Sequence, residues 1–274
     1  MGQRRFNAMP GFGLTMGYTL FALGGVVLLP LAALFLRALD MTWEEFWRQA
    51  TSARALSAYR LTLGASFVAA LFNAFMGTLT AWVLVRYTFP GRRILDALVD
   101  FPFALPTAVA GLTLANLFAP GGLMGRVLEP LGIRVAYTPL GIVVALIFVG
   151  LPFVVRTLQP VLAELERDTE EAAATLGAGR LRTLVAVVAP TLFPAILTGF
   201  ALAFARAVGE YGSVLFISSG RPLESEIVPM VIVVRLDEFN TRGAIAVAVV
   251  MLVLSFAMLV LVNALERRAS RFLR

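Results

Sequence analysis

Two ionisable side chains four residues apart, Arg206 and Glu210, stand inside a long apolar stretch. Residues at that spacing share one helix face. A charge at the centre of a membrane-crossing helix costs roughly 2.5–3.5 kcal/mol on insertion scales, so it must be paired or face water. Two chemistries follow. The pair neutralises itself, or Arg206 helps an anion to pass while Glu210 sets a gate. Arg preceding Glu is the less favourable order at this spacing, which leaves room for other partners. Gly209 and Gly212 flank the acid and permit a bend or a close backbone approach. Both readings stand on the residues alone.

A second group occupies the polar stretch from Leu162 to Pro190. Asp168 is placed to cap a helix with Glu171 three residues later, which completes a capping box. Ala172, Ala173 and Leu176 give that helix a small face, and Gly177 supplies a left-handed stop. A second helical piece is predicted from Arg180 to Val188, ending at Pro190. The element is either a docking helix for another protein's groove or a connector between helices.

Other chemistries are excluded. The chain has no Cys and no His, which removes disulfides, thiol chemistry, thiolate metal sites and the commonest general base. No catalytic residues and no metal site are expected. No G-x-x-x-x-G-K-[ST] phosphate loop is present, and no paired intramembrane Asp residues suggest a membrane-embedded protease.

The elements that must position these residues are membrane spans. Of 274 residues 59% are hydrophobic and 15% charged, where a soluble domain would be about a quarter charged. Six segments are long enough to cross about 30 Å of hydrocarbon: 12–36, 61–85, 99–118, 138–158, 191–217 and 244–265. Six spans put both termini on one side. If that side is cytoplasmic it carries thirteen arginines, among them Arg86, Arg92, Arg93, Arg156, Arg180 and Arg182, against nine on the other side. That sign matches the positive-inside rule, and it explains the net charge of +6 without a nucleic-acid partner.

Three further features bear on the site. Thr42 to Ala50 reads as a short amphipathic helix on the outer surface, anchored by Trp43 and Trp47. The third span opens with Pro102 and Pro106, four apart on one face, so a kinked helix lining a pathway is expected beside ordinary tight packing. The stretch Ser219 to Gly243 mixes Arg221, Arg235 and Arg242 with Glu224, Glu226, Asp237 and Glu238; it suits docking of an outside protein and equally any solvated loop.

Glu171-Ala172-Ala173, Gly177 and Pro190 resemble the "EAA" motif of binding-protein-dependent ATP-binding-cassette importers, with Ala189 replacing the usual leucine before the proline. Further runs, Arg86 to Arg92, Phe101 to Ala115, Pro152 to Leu162 and Val234 to Phe239, are similar to sulfate/thiosulfate permeases of the CysT type. The resemblance implies an all-α polytopic protein of the type I importer permease (MetI-like) fold. Its parts would be an N-terminal span with a periplasmic amphipathic segment (1–60), a permease core (61–265) containing the coupling loop 162–190, and a short cytoplasmic tail (266–274).

The resemblance further makes Glu171, Ala172, Ala173 and Gly177 the contacts with a cytoplasmic ATPase dimer that binds ATP and Mg²⁺. It implies a second permease subunit of the CysW type, a periplasmic sulfate/thiosulfate-binding protein, and residence in a bacterial inner membrane. Arg206, Glu210, Pro102 and Pro106 are the expected pathway residues. A sister sulfate permease and a molybdate or tungstate permease are the alternatives within the class. An ion-coupled secondary transporter would need broken helices and midplane acids in repeats; one midplane acid and no repeat are visible here.

Overall fold

The computed structural model describes residues 12–165, 171–173 and 175–271. Among them every regular element is helical, and six helices are long and apolar enough to cross a membrane. The spans are α1 (Phe12–Leu39), α3 (Ala53–Arg86), α6 (Thr107–Phe118, continued by shorter turns to Leu131), α8 (Pro139–Glu164), α9 (Arg180–Val208) and α12 (Thr241–Arg271). Shorter helices fill the connections: α2 (Trp43–Ala50), α4 (Arg92–Val99), α5 (Phe101–Ala104), α7 (Leu123–Leu128), α10 (Gly212–Ile217) and α11 (Val228–Asp237).

The centre of the bundle is α3, α8 and α9. Between helices in lipid the driving force is close van der Waals packing, which small residues permit. Accordingly α3 turns Ala58, Ala65, Ala69, Ala70, Ala74, Gly77 and Ala81 inward. A Cβ at Gly77 would lie 2.8 Å from Val154 Cβ on α8, and one at Gly199 of α9 would lie 3.1 Å from Val154 Cα. Asn73, fully buried on α3, donates from Nδ2 to the Ile147 carbonyl at 3.1 Å. In contrast α1 has no buried residue. Near its end Ala38, with Met41 just beyond it, meets Ala50, Phe46 and Ala246.

The connection after α1 follows from local chemistry. Thr42 Oγ1 accepts the Glu45 N–H at 3.2 Å and starts α2, and Trp43 and Trp47 meet edge to face at 5.5 Å. Ser52 accepts from the Ala55 N–H, so α3 begins at Ala53 rather than at the hydropathy edge near 61.

The third and fifth spans depart from expectation. Pro102 and Pro106 do not share a kinked helix. Pro102 lies in the first turn of α5, where a missing N–H costs no helical bond. Pro106 stands outside any helix as the N-cap of α6, with Leu105 extended before it; a residue preceding proline disfavours the α conformation. The span from 99 to 118 is therefore broken rather than bent. Pro190, in turn, does not end a helix. A π-turn at Leu184–Val188, closed by Ala189 N–H to Leu184 O, precedes it, and α9 runs through. The same device precedes Pro30 in α1, where Leu29 N–H reaches Gly24 O across Gly24–Leu28. One wide turn makes room for the ring that would clash with a carbonyl four residues back.

The fifth span, expected over 191–217, starts at Arg180 and stops at Val208. After a break at Gly209–Tyr211, α10 resumes the course. The two breaks meet. A Cβ on Gly212 would fall 2.2 Å from Thr107 Oγ1, and one on Gly111 would fall 2.3 Å from the Ser213 carbonyl oxygen. Gly111→Ala should force the backbones of α6 and α10 apart at a cost of about 1–3 kcal/mol and lower the melting temperature in detergent. Gly64→Ala, with open space around it, should not; equal melting temperatures would refute this account of the packing.

Candidate functional site

The polar stretch between α8 and α9 contains a helical turn at Glu171, Ala172 and Ala173. Asp168, the expected cap, lies outside the described residues. The turn closes as the glycine predicts. Gly177 has φ +82°, and the Ala178 N–H reaches back to the Ala173 carbonyl at 3.0 Å, the long bond of a Schellman stop. Leu176 N–H bonds to the Ala172 carbonyl at 3.2 Å. Nothing lies within 4 Å of a Cβ placed on Gly177, so its backbone angle, not space, demands glycine. Glu171 and Ala172 are exposed and Ala173 is half-buried. Leu176 is 88% exposed and Leu181, the second residue of the next helix, 74%. An apolar edge thus stands open beside the acidic turn.

Arg206 and Glu210 do pair, across the end of α9. Arg206 Nη1 lies 2.6 Å from Glu210 Oε2. The other carboxylate oxygen accepts the Ser213 N–H and the Ser213 hydroxyl, both at 2.9 Å. Glu210 is 2% exposed and Arg206 about a third. Glu210 is therefore not a helical residue facing a cavity. It occupies the break itself and satisfies the start of α10, whose backbone Gly111 receives. Thr107 carries this contact back to Pro106. Pro102 lies across the other break, where its neighbour Phe103 meets Phe153 of α8 edge to face at 5.2 Å. The four expected pathway residues thus fall into two places: Arg206, Glu210 and Pro106 around the meeting of α6 and α10, and Pro102 beside α8.

The residues from Ser219 to Gly243, whose composition suits docking and a solvated loop equally, are in part buried. Val228, Met230 and Val231 of α11 are buried. Glu226, 4% exposed, receives Arg54 in a two-bond fork at 2.7 and 2.6 Å. Arg235, 6% exposed, donates to the Gly243 carbonyl at 2.7 Å and to Ser52 Oγ at 2.8 Å. These charges hold the connections at this end of the bundle to α3 and α12. Arg221, Glu224, Asp237, Glu238, Phe239 and Arg242 stay exposed, Phe239 at 94%. A cavity of about 550 Å³ opens there, lined among others by Arg134, Tyr137, Ser219, Arg221 and Glu224.

One polar cluster escaped the sequence. Arg156 on α8 donates from Nε to Asp100 Oδ1 at 2.7 Å, from Nη1 to Asp96 Oδ1 at 2.7 Å and from Nη2 to the Asp96 carbonyl at 2.9 Å. Its remaining two N–H groups go to Asp100 Oδ2 and Gln159 Oε1. Gln159 Nε2 donates to Asp96 Oδ1 at 3.0 Å. These bonds, Gln159's first and Arg156's second, hold the Asp96 carboxyl below the usual carboxylate range. The one available signal was the spacing of Asp96 and Asp100, four apart and so on one helix face. Among the described residues no group of three or more acidic, His or Cys side chains is arranged to hold a metal ion.

Residues 73–271 match the family described as the binding-protein-dependent transport system inner membrane component. The chain is 49% identical over 265 residues, 97% of its length and 96% of the relative's, to a protein of Salmonella typhimurium named sulfate transport system permease protein CysT. Two solved structures share its fold. One is a bacterial alginate transporter in complex with a periplasmic protein carrying an alginate pentasaccharide, at TM-score 0.77 and 16% identity over 93% of each chain. The other is the inward-facing methionine transporter MetNI, at 0.60 and 17%, covering 84% of this chain and 99% of that one. These likenesses establish the all-α, MetI-like fold of type I importer permeases.

The ion pair at the break can be weighed by a double-mutant cycle. Arg206→Gln should leave the buried Glu210 with only its two Ser213 donors, at a cost of about 3 kcal/mol, the low end for breaking a buried pair. Adding Glu210→Gln should recover part of that loss in thermal unfolding. Additive losses would mean that the two charges do not interact.

Proposed function

The chain belongs to the family of inner membrane components of binding-protein-dependent transport systems, and from that membership we propose that it is the membrane-spanning subunit of an ATP-driven importer of sulfate, with thiosulfate as a second substrate. The observation that carries this reading is the 49% identity, over nearly the full length of both chains, to a sulfate permease. The chain itself supplies a multi-pass scaffold of six candidate spans, and the chemistry of ATP belongs to a partner.

In this reading the chain sits in a bacterial inner membrane with both termini in the cytoplasm. A cytoplasmic ATPase dimer, holding ATP and Mg²⁺, receives the turn Glu171–Ala172–Ala173, which the left-handed Gly177 ends abruptly. The exposed Leu176 and Leu181 give that contact its apolar part. A second permease subunit of the CysW type completes the path, and a periplasmic sulfate/thiosulfate-binding protein delivers the anion to the opposite end. Closure of the ATPase pair then moves the turn, and α8 and α9 on either side of it transmit the motion.

The path runs by the meeting of α6 and α10, where Pro106 and Glu210 mark the two breaks and Pro102 lies beyond the first. Arg206, a third exposed, is the cation placed to lower the cost of a dianion there. Glu210 holds that cation in place, and its bonds to Ser213 couple the charge to the start of α10.

The test is uptake of radiolabelled sulfate into cells lacking their own sulfate importer and carrying this chain with its candidate partners. Thiosulfate should compete and molybdate should not, and Glu171→Arg should abolish uptake at equal membrane levels. Transport of molybdate in place of sulfate would overturn the substrate. Unchanged uptake by Glu171→Arg would overturn the coupling role.

A further inference from the structure

Arg156 uses all five of its N–H groups on three residues. Two of them, Asp96 and Asp100, lie in the segment before the third span, and the third is Gln159, one turn along its own helix. Such saturation fixes a guanidinium as a planar fork and leaves it no alternative rotamer of equal satisfaction. Phe103 against Phe153 adds an apolar contact between the same two elements. Segment 92–104 is thereby fastened to α8 at two points.

What lies at each end of this fastening matters. Arg156 sits about two turns before the end of α8, and the chain then enters the stretch that holds Glu171 to Gly177. In the other direction, α5 leads through the extended Leu105 and Pro106 into α6. There Thr107 and Gly111 seat Gly212 and Ser213, and Ser213 holds Glu210. The Leu105 N–H closes α5 on the Phe101 carbonyl and the Pro106 carbonyl opens α6 with the Ala110 N–H, so each bond stays within its own helix and a displacement of α5 can reorient α6 without unwinding it.

We propose that Arg156 is a positioning residue, a clamp that makes segment 92–104 move as one body with α8 and so carries displacement of the coupling turn to the break where α6 meets α10. The clamp touches neither anion nor ATPase. Its proposed part in transport rests on reading Glu171–Gly177 as the ATPase contact; its rigidity does not.

Two readouts separate those statements. The complex is purified from the membrane with the chains that accompany it and reconstituted in vesicles. This chain has no Cys, so cysteines placed at the exposed Ile94 and Leu140 are its only sites for spin labels. With the clamp intact, the distance between those labels should be the same with and without ATP and Mg²⁺. Arg156→Gln, and Arg156→Lys, which keeps the charge without the fork, should make the distance broaden or depend on nucleotide. The same variants should keep near-normal ATP hydrolysis while sulfate taken up per ATP falls by about fivefold or more, the low end of an allosteric coupling. Exchanging the charges, Arg156→Asp with Asp100→Arg, should restore part of that ratio.

A distance that both variants leave unchanged would overturn the clamp. An unchanged uptake per ATP, or hydrolysis and uptake lost in equal proportion, would overturn its part in transport. A wild-type complex that hydrolyses ATP but takes up no sulfate would instead sink the substrate reading, and the label distances would still decide the clamp.

Discussion

Within a bilayer no water completes the hydrogen bonds of an interrupted helix, and this constraint governs the interior of the molecule. Two spans are interrupted nonetheless. At the fifth, one side chain caps the start of α10: the Glu210 carboxylate takes the Ser213 N–H and hydroxyl and is itself neutralised by Arg206. The acid is thus part of the backbone's accounting as much as a charge. At the third, the interruption is built from prolines, which have no N–H to leave unpaired. Each break uses chemistry suited to its surroundings, and the two are seated against each other by glycines at 111 and 212.

The same economy appears where helices approach. Hydrophobic burial offers little net gain between helices already in lipid, so the centre of α3, α8 and α9 is defined by small residues and by near-contact of backbones. Val154 lies against positions 77 and 199 at once, which ties three helices at one point. This centre resists deformation, because a packed interior does not yield continuously. Among the described residues the spans lose their regular helical course at the Leu105–Pro106 link and the Gly209–Tyr211 link.

Much of this was legible in the sequence. Six apolar segments, the Thr42 cap and the left-handed stop at Gly177 are local properties, and local properties are written in adjacent residues. The breaks were not, because a hydropathy window gives Leu105 or Tyr211 the same weight in a helix as outside one. A proline such as Pro106 suits a kinked helix or tight packing in the sequence and is a cap in the fold; Pro190 suits a stop, and a π-turn absorbs it. Glu226 and Arg235 looked like solvated charges because their partners, Arg54 and Ser52, lie far away in the chain. Arg156 is separated from Asp96 by sixty residues, and no single-sequence pattern announces such a pair. Of the four expected pathway residues, the ion pair was legible as a pair, whereas its position in a gap between helices was not.

These gaps in legibility have a common cause that bears on function. What the sequence states plainly are elements, and elements of this kind are shared by membrane proteins of many activities. What distinguishes a transporter is how separate elements are fastened, so that motion at one end arrives at the other in a defined form. Here the fastenings are charged side chains of distant origin: Arg54 to Glu226 and Arg235 to Ser52 at one end of the bundle, Arg156 to Asp96 and Asp100 at the other. Surface ion pairs contribute little to stability in general, and the Asp96 and Asp100 carboxylates are nearly half exposed. The five-bond geometry of Arg156 is therefore better understood as fixing orientation than as holding the fold together. A rigid link at the turn-bearing end, a break in each of the two spans and a firmly anchored opposite end are the mechanical conditions under which a small displacement of Glu171–Gly177 would reach Glu210 without first being lost in the bending of a single long helix.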